Sequence, residues 1–216
     1  MITFHVISLF PEVMESYLKT SIIGKAREKK KIDVCFYDLR DYLNDSRERV
    51  DGRPFGGGPG MVIRPEPVIR AILKAKGRKK NTKIIFFDRK GRRLTNDYAR
   101  TISQGYRHVI LISGRYEGID ARVYEVFKDE DIERLSIGSY ILTGGEIPSL
   151  AFIDCVSRQV EGVLGDYDSL EESRAAGRSV YTRPQSFSYK GKSYSVPSVL
   201  TSGHHAKIDR WRERKG

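Results

Sequence analysis

The chain has 216 residues, 39% of them hydrophobic, which bounds it to one large domain or one domain with a small appendage. Its formal net charge is +11, and no apolar run approaches the ~20 residues that a membrane-spanning helix needs. The first residues lack the basic-then-apolar build of a signal peptide, and Cys35 and Cys155 sit within apolar runs, so no structural disulfide is expected and the cytoplasm is the expected location.

Ile2 to Leu9 reads as a strand, and Phe10-Pro11-Glu12 opens a helix with proline in its first turn. Ile32 to Tyr37 is a second strand. From Asp41 to Met61 the chain turns polar and glycine-rich, too long for a simple connection, and reads as a functional loop. Glu66 to Ala75 fits an amphipathic helix entered through two prolines. Lys83 to Asp88 reads as a strand, Asn96 to Ser103 as a helix capped by Thr95 or Asn96, and His108 to Ser113 as a strand. A helix at Asp120 to Phe127, a strand at Ile132 to Ile137 and a helix at Ile147 to Val160 follow. This alternation predicts an α/β fold, a parallel sheet with helices on both faces. From Glu161 to Pro197 no period is clear and the segment reads as a linker, after which a basic helix, roughly His204 to Arg214, closes the chain.

Two glycine-bearing segments carry the chemistry. Ser113-Gly114-Arg115-Tyr116-Glu117-Gly118-Ile119-Asp120 follows one apolar strand, and Ser136-Ile137-Gly138 through Gly144-Gly145-Glu146-Ile147-Pro148 follows another. Both therefore sit at the carboxyl ends of strands, where open α/β sheets place ligands. Glycine there removes side chains and lets backbone N–H and C=O groups approach a ligand. Each alone is an ordinary strand-to-helix turn; together, with Tyr and Glu interleaved, they predict a small-molecule site.

The charge points to a partner. Arg70 to Arg100 holds twelve Lys or Arg against only Asp88 and Asp97, threaded by Ile84-Ile85-Phe86-Phe87. A folded surface that meets phosphates is the reading favoured, over an anionic membrane or a heparin-like partner. Several chemistries are set aside. Gly56-Gly57-Gly58-Pro59-Gly60 lacks the Lys-Ser/Thr of a phosphate-binding loop, no G-x-S-x-G elbow occurs, and His5, His108, His204 and His205 do not combine with the cysteines at metal-ligand spacing. His5 and His108 read as core residues of strands.

Longer motifs narrow the reading. Arg53-Pro54-Phe55-Gly56-Gly57-Gly58-Pro59-Gly60-Met61 precedes the two segments above, and Gly162-Val163-Leu164-Gly165, Tyr181-Thr182-Arg183-Pro184 and Ser202-Gly203-His204-His205 with Trp211-Arg212 follow them. In this order, from Ser8-Leu9-Phe10-Pro11 to Trp211-Arg212, the chain closely resembles the bacterial tRNA (guanine-N1-)-methyltransferases that modify guanosine 37, members of the SPOUT superfamily.

The resemblance implies a parallel-sheet SPOUT fold with a C-terminal trefoil knot, followed by a small helical segment. It places the methyltransferase domain at 1–160, a mobile linker at 161–180, and a short helical tRNA-binding domain at 181–216 that reads as truncated relative to the family. S-adenosylmethionine would lie against Phe86, Phe87 and Gly91, against Gly114, Tyr116 and Glu117, and against Ser136, Ile137, Gly138, Ser139, Tyr140, Ile141, Leu142, Gly144, Gly145 and Pro148. Arg158 would stabilise charge on O6 of guanine, and Glu172, paired with Ser173, would take the N1 proton, with Glu171 or Asp168 as alternatives. Asp51, Arg53 and the Pro59-Gly60 backbone would meet the target base, and Arg183 and His205 the tRNA. A homodimer and dependence on magnesium, through ligands not identified, are also implied. Departures from the family pattern, Asp88-Arg89-Lys90-Gly91 for Ser-Pro-Gln-Gly and Ser139 for aspartate, leave two other readings: a SPOUT methyltransferase acting at another RNA position, or a non-catalytic RNA-binding protein on the same scaffold.

Overall fold

The computed structural model describes residues 1–164 and 179–214, with side chains omitted for residues 212–214. The chain folds as two compact units, Met1–Leu164 and Gly165–Gly216.

The first unit is built on five parallel strands in the order β2-β1-β6-β5-β7: β1 (Ile2–Ser8), β2 (Ile32–Asp38), β5 (Thr82–Arg93), β6 (His108–Ile112) and β7 (Ile132–Ser136). Every side chain of β1 is buried, as expected of a central parallel strand covered on both faces. Alternate residues serve the two faces. Phe4, Val6, Val109, Leu111 and Ile85 pack under the helices α1 (Glu12–Leu18), α4 (Asn96–Gly105) and α6 (Glu146–Arg158). Ile7, Ile84, Ile110 and Ile112 pack under α3 (Pro65–Lys76) and α5 (Arg122–Val126). The expected strands and helices are present, and α2 (Ser21–Glu28), for which the sequence carries no expectation, lies between α1 and β2. Thr95 is the cap of α4, its side chain accepting the amide of Tyr98 at 3.2 Å.

Two local features position the site. β5 runs well past the expected Asp88. Phe87 and Arg92 both oppose Leu135 on β7, so residues 88–91 bulge out of a single long strand rather than forming a loop after it. The polar 41–61 segment returns through a short antiparallel pair, β3 (Asp51–Gly52) with β4 (Val62–Ile63).

In the second unit, the stretch read as linker contains a hairpin, β8 (Ser186–Tyr189) with β9 (Lys192–Ser195), turned by Lys190-Gly191, both at positive φ. A 3-10 turn at Ser198–Thr201 leads into α7 (His205–Arg214). Tyr181 and Trp211 lie with ring centroids 6.2 Å apart.

Candidate functional site

Three neighbouring strands end at one cavity. The segments after β6 and β7, together with the bulge in β5, enclose about 210 Å³. The walls are largely apolar, from Phe87, Leu135, Ile137, Ile141, Leu142 and Pro148, with backbone polar groups of the glycine segments between them. All the expected cofactor residues line it except Phe86, Gly91 and Ser139. Phe86 points to the opposite face of the sheet, as its place in the strand alternation requires, and meets Tyr124 with ring centroids 5.9 Å apart. Gly91 sits in the bulge against the backbone of Arg134 and Leu135, and Ser139 is exposed. Asp88, Arg89, Arg115, Gly118 and Thr143 line the cavity from within the same three segments, and Leu135 lines it from β7; Asp88 and Arg89 reach it because the bulge turns them outward.

The two glycine segments are tied to each other. Gly145 donates its amide to the carbonyl of Gly114 at 2.8 Å, and Arg115 forms a bridge with Gly144. A Cβ on Gly145 would lie 2.5 Å from the Cα of Ser113, so only glycine permits this approach. Below the crossing, the buried carboxylate of Glu146 accepts from Ser8 Oγ at 2.8 Å and from Arg115 Nε, 3.1 Å from its nearer oxygen. The Arg115 guanidinium also lies over the Phe10 ring, 4.7 Å from its centroid. Ser113 and Ser149 share a buried hydrogen bond of 2.7 Å beside it. Arg115 is thus held on two sides, which fixes the wall it contributes.

The expected base-recognition segment is joined to this assembly. Glu117 donates its amide to Met61, Ile63 to Gly118 and Asp120 to Ile63, each at 3.0 Å. Gly60, at φ +87°, lies so close to Glu117 that a Cβ would strike its carboxylate. Pro59 and Gly60 are exposed, as is Arg53. Asp51 is occupied by Arg49, which donates Nε to Oδ1 at 3.0 Å.

In the first unit, Arg158 does not line the cavity. Arg158 ends α6 with its Nε buried and without a hydrogen-bond partner among the described residues, as are the side-chain polar atoms of Ser157 and Gln159 beside it. Asp168, Glu171, Glu172 and Ser173 lie outside the described residues. Arg183 and His205 are exposed in the second unit. Among the described residues no group of three or more His, Cys, Asp or Glu is placed to hold a metal ion, and no helix is long and apolar enough to cross a membrane.

The basic stretch from Arg70 to Arg100 does not form one face. Arg70 donates to the carbonyl of Tyr42, Lys76 pairs with Glu130, and Lys83 is buried against Asp131 and Glu133. Arg78, Lys79 and Lys80 precede the amino end of β5, whereas Arg89 to Arg93 lie near its carboxyl end. A strand of this length, at about 3.3 Å per residue, separates the two groups.

Fold and cavity together define an α/β protein with a cavity at the carboxyl ends of its strands, where such folds place their ligands. Similarity to known proteins makes that class particular. The model of the tRNA (guanine-1)-methyltransferase family TrmD matches residues 2–216, and the chain belongs to that family. A tRNA (guanine-N(1)-)-methyltransferase of Ruminiclostridium cellulolyticum is 44% identical over 97% of this chain and 88% of its own length. Proteins of the same description from Caldanaerobacter subterraneus subsp. tengcongensis and Pseudoalteromonas atlantica are 43% and 41% identical, each over 98% of this chain, covering 86% and 79% of their own lengths.

Proposed function

We propose that this chain transfers a methyl group from S-adenosylmethionine to N1 of guanosine 37 in tRNA, beside the anticodon. The observation that carries this is the cavity itself, where the two glycine segments of a methyltransferase family meet at the carboxyl ends of β6 and β7. Its apolar walls suit an adenine ring and the methylene groups beside the sulfonium, and its exposed backbone groups suit the adenine edge and the ribose. The group bound there supplies an electrophilic methyl on a sulfonium.

The protein's part is to make N1 nucleophilic as the methyl arrives. Glu172, with Ser173 beside it, takes the N1 proton, and Glu171 or Asp168 is the alternative base. Arg158 donates to O6, where negative charge gathers as that proton leaves. Its Nε, without a partner among the described residues, supports this, because a buried guanidinium N–H without an acceptor is costly until one arrives. Asp51 accepts from the N2 amino group of guanine, which adenine lacks, while Arg53, Pro59 and Gly60 hold the base and Arg183 and His205 the tRNA backbone.

The same reading carries a trefoil knot involving the β5 bulge and the segments after β6 and β7, a homodimer with the site between subunits, a linker at 161–180 before the tRNA-gripping unit, and action in the cytoplasm. Magnesium dependence belongs to it as well. The described residues supply no ligand set for that ion, so no step is assigned to it.

The test is incorporation of labelled methyl, with magnesium present, into a transcript carrying guanosine at positions 36 and 37, beside one with adenosine at 37. Incorporation into the first alone is expected, and equal labelling of both overturns the assignment. Glu172→Gln should abolish transfer with cofactor affinity retained; normal turnover by that variant moves the base elsewhere.

A further inference from the structure

The β8–β9 hairpin divides its side chains by chemistry. In the antiparallel register Ser186 faces Ser195 and Ser188 faces Ser193, so one face is all serine. The other face pairs Phe187 with Tyr194 and Tyr189 with Lys192. Phe187 and Tyr194 stack, with ring centroids 5.4 Å apart and planes 16° from parallel. Lys190 lies over the Tyr189 ring and Lys192 over the Tyr194 ring, each 5.5 Å from the centroid. All eight strand residues are exposed, Phe187 at 59% and Tyr189 at 58%. Three aromatic rings are thus presented to solvent on a two-stranded ribbon that has no core of its own beneath them, an arrangement that loses burial without gaining any.

Charge selects the occupant. From Ser179 to Ile208 the chain contains no Asp or Glu, while Arg183, Lys190, Lys192 and Lys207 are cationic. An exposed aromatic face with Lys190 and Lys192 over two of its rings suits a ligand that offers π-faces and negative charge together. Unpaired nucleotides offer both. We propose that the Phe187–Tyr189–Tyr194 face is a stacking platform for unstacked bases of single-stranded RNA, with Lys190 and Lys192 against the adjoining phosphates. It rests on the RNA-acting reading above for its ligand, and it assigns contact with a loop or a single-stranded end, not with a helical stem, whose bases are already stacked.

The experiment uses the full chain and two probes: the guanosine-36/37 tRNA transcript, and a short unstructured RNA carrying 2-aminopurine, whose fluorescence is quenched by stacking. Phe187→Ala and Tyr194→Ala should each weaken binding of both probes by about fivefold or more and remove the quenching. Cofactor affinity and melting temperature should not change. Phe187→Leu, which keeps an apolar side chain but no ring, should fail like Phe187→Ala, whereas Tyr194→Phe should behave as the parent. Lys192→Gln should lower the dependence of affinity on salt. Unchanged affinity and quenching in Phe187→Leu overturn the platform. A shift in oligomeric state without loss of RNA binding also overturns it and assigns the face to a second copy of the chain. Failure of the parent to methylate tRNA, with quenching intact, overturns the proposed activity and leaves the platform standing.

Discussion

His5 lies in the middle of β1, 2% exposed, with the Tyr37 hydroxyl 3.0 Å from Nδ1 and His108 Nδ1 3.3 Å from Nε2. Burial, and then the positive Lys79 and the neighbouring His108, lower its pKa from 6.5 to about 4, with Asp33 opposing weakly. A histidine whose folded value lies below its unfolded one binds its proton more readily when unfolded. Its contribution is therefore complete above pH 6.5 and lost as pH falls toward 4. Between pH 7.5 and 5 the loss should be about 2 kcal/mol, read as a falling urea midpoint that His5→Gln flattens. Gly145 makes a sharper case. Gly145→Ala sets a methyl against Ser113, and the added strain should cost about 1–3 kcal/mol in urea and weaken S-adenosylmethionine binding measured by titration calorimetry. Unaltered binding would mean the two glycine segments need not touch. The need for glycine at a strand end was legible in the sequence, because a doubled Gly before an amphipathic helix has few other uses. The contact that imposes it was not, since Ser113 lies 32 positions away.

Among the elements, β5 departs furthest from its pattern. By sequence this strand ends at Asp88, and by resemblance Asp88-Arg89-Lys90-Gly91 matches a cofactor segment; the strand resumes at Arg92 only because β7 offers Leu135 a second time. Pairing of this kind depends on a partner forty residues on and leaves no trace in local composition. Leu135 is fully buried and also walls the cavity. Leu135→Ala should therefore cost about 2–5 kcal/mol and weaken cofactor binding together, in parallel denaturation and calorimetry. A stability loss with cofactor affinity intact would separate the bulge from the site. The hairpin was hidden for a different reason. Its alternation of Ser with Phe and Tyr, around Lys190-Gly191, is a strand signal at period two, but its low hydrophobicity resembles linker. The parallel sheet and its helices other than α2 were legible in the first unit, because buried strands and amphipathic helices repeat their period many times. Glu172, which carries the proposed proton transfer, rests on motif alone.

Across the whole molecule, the same sequence run supplies positive charge to opposite ends of the sheet. On the proposed function, RNA engaged at the cavity would meet Arg89, which lines it, and Lys90 beside it near the carboxyl end of β5, not Arg78 and Lys80 before its amino end. The double variant Arg89→Gln, Lys90→Gln should weaken tRNA binding and lower the salt slope of log affinity by about 1–2, while Arg78→Gln, Lys80→Gln leaves it unchanged. Equal effects from both pairs would mean that the RNA wraps the sheet from end to end.

The backbone bonds that run from Gly145 to Gly114, and from Glu117 and Gly118 to Met61 and Ile63, have a consequence for how two ligands sense each other. They place the cofactor wall and the exposed Pro59-Gly60 turn in series on one hydrogen-bonded strap. A ligand that tightens the strap at one end lowers the ordering cost met by a second ligand at the other. By thermodynamic reciprocity, the factor by which S-adenosylmethionine tightens RNA must equal the factor by which RNA tightens S-adenosylmethionine, and Gly60→Ala should reduce both together.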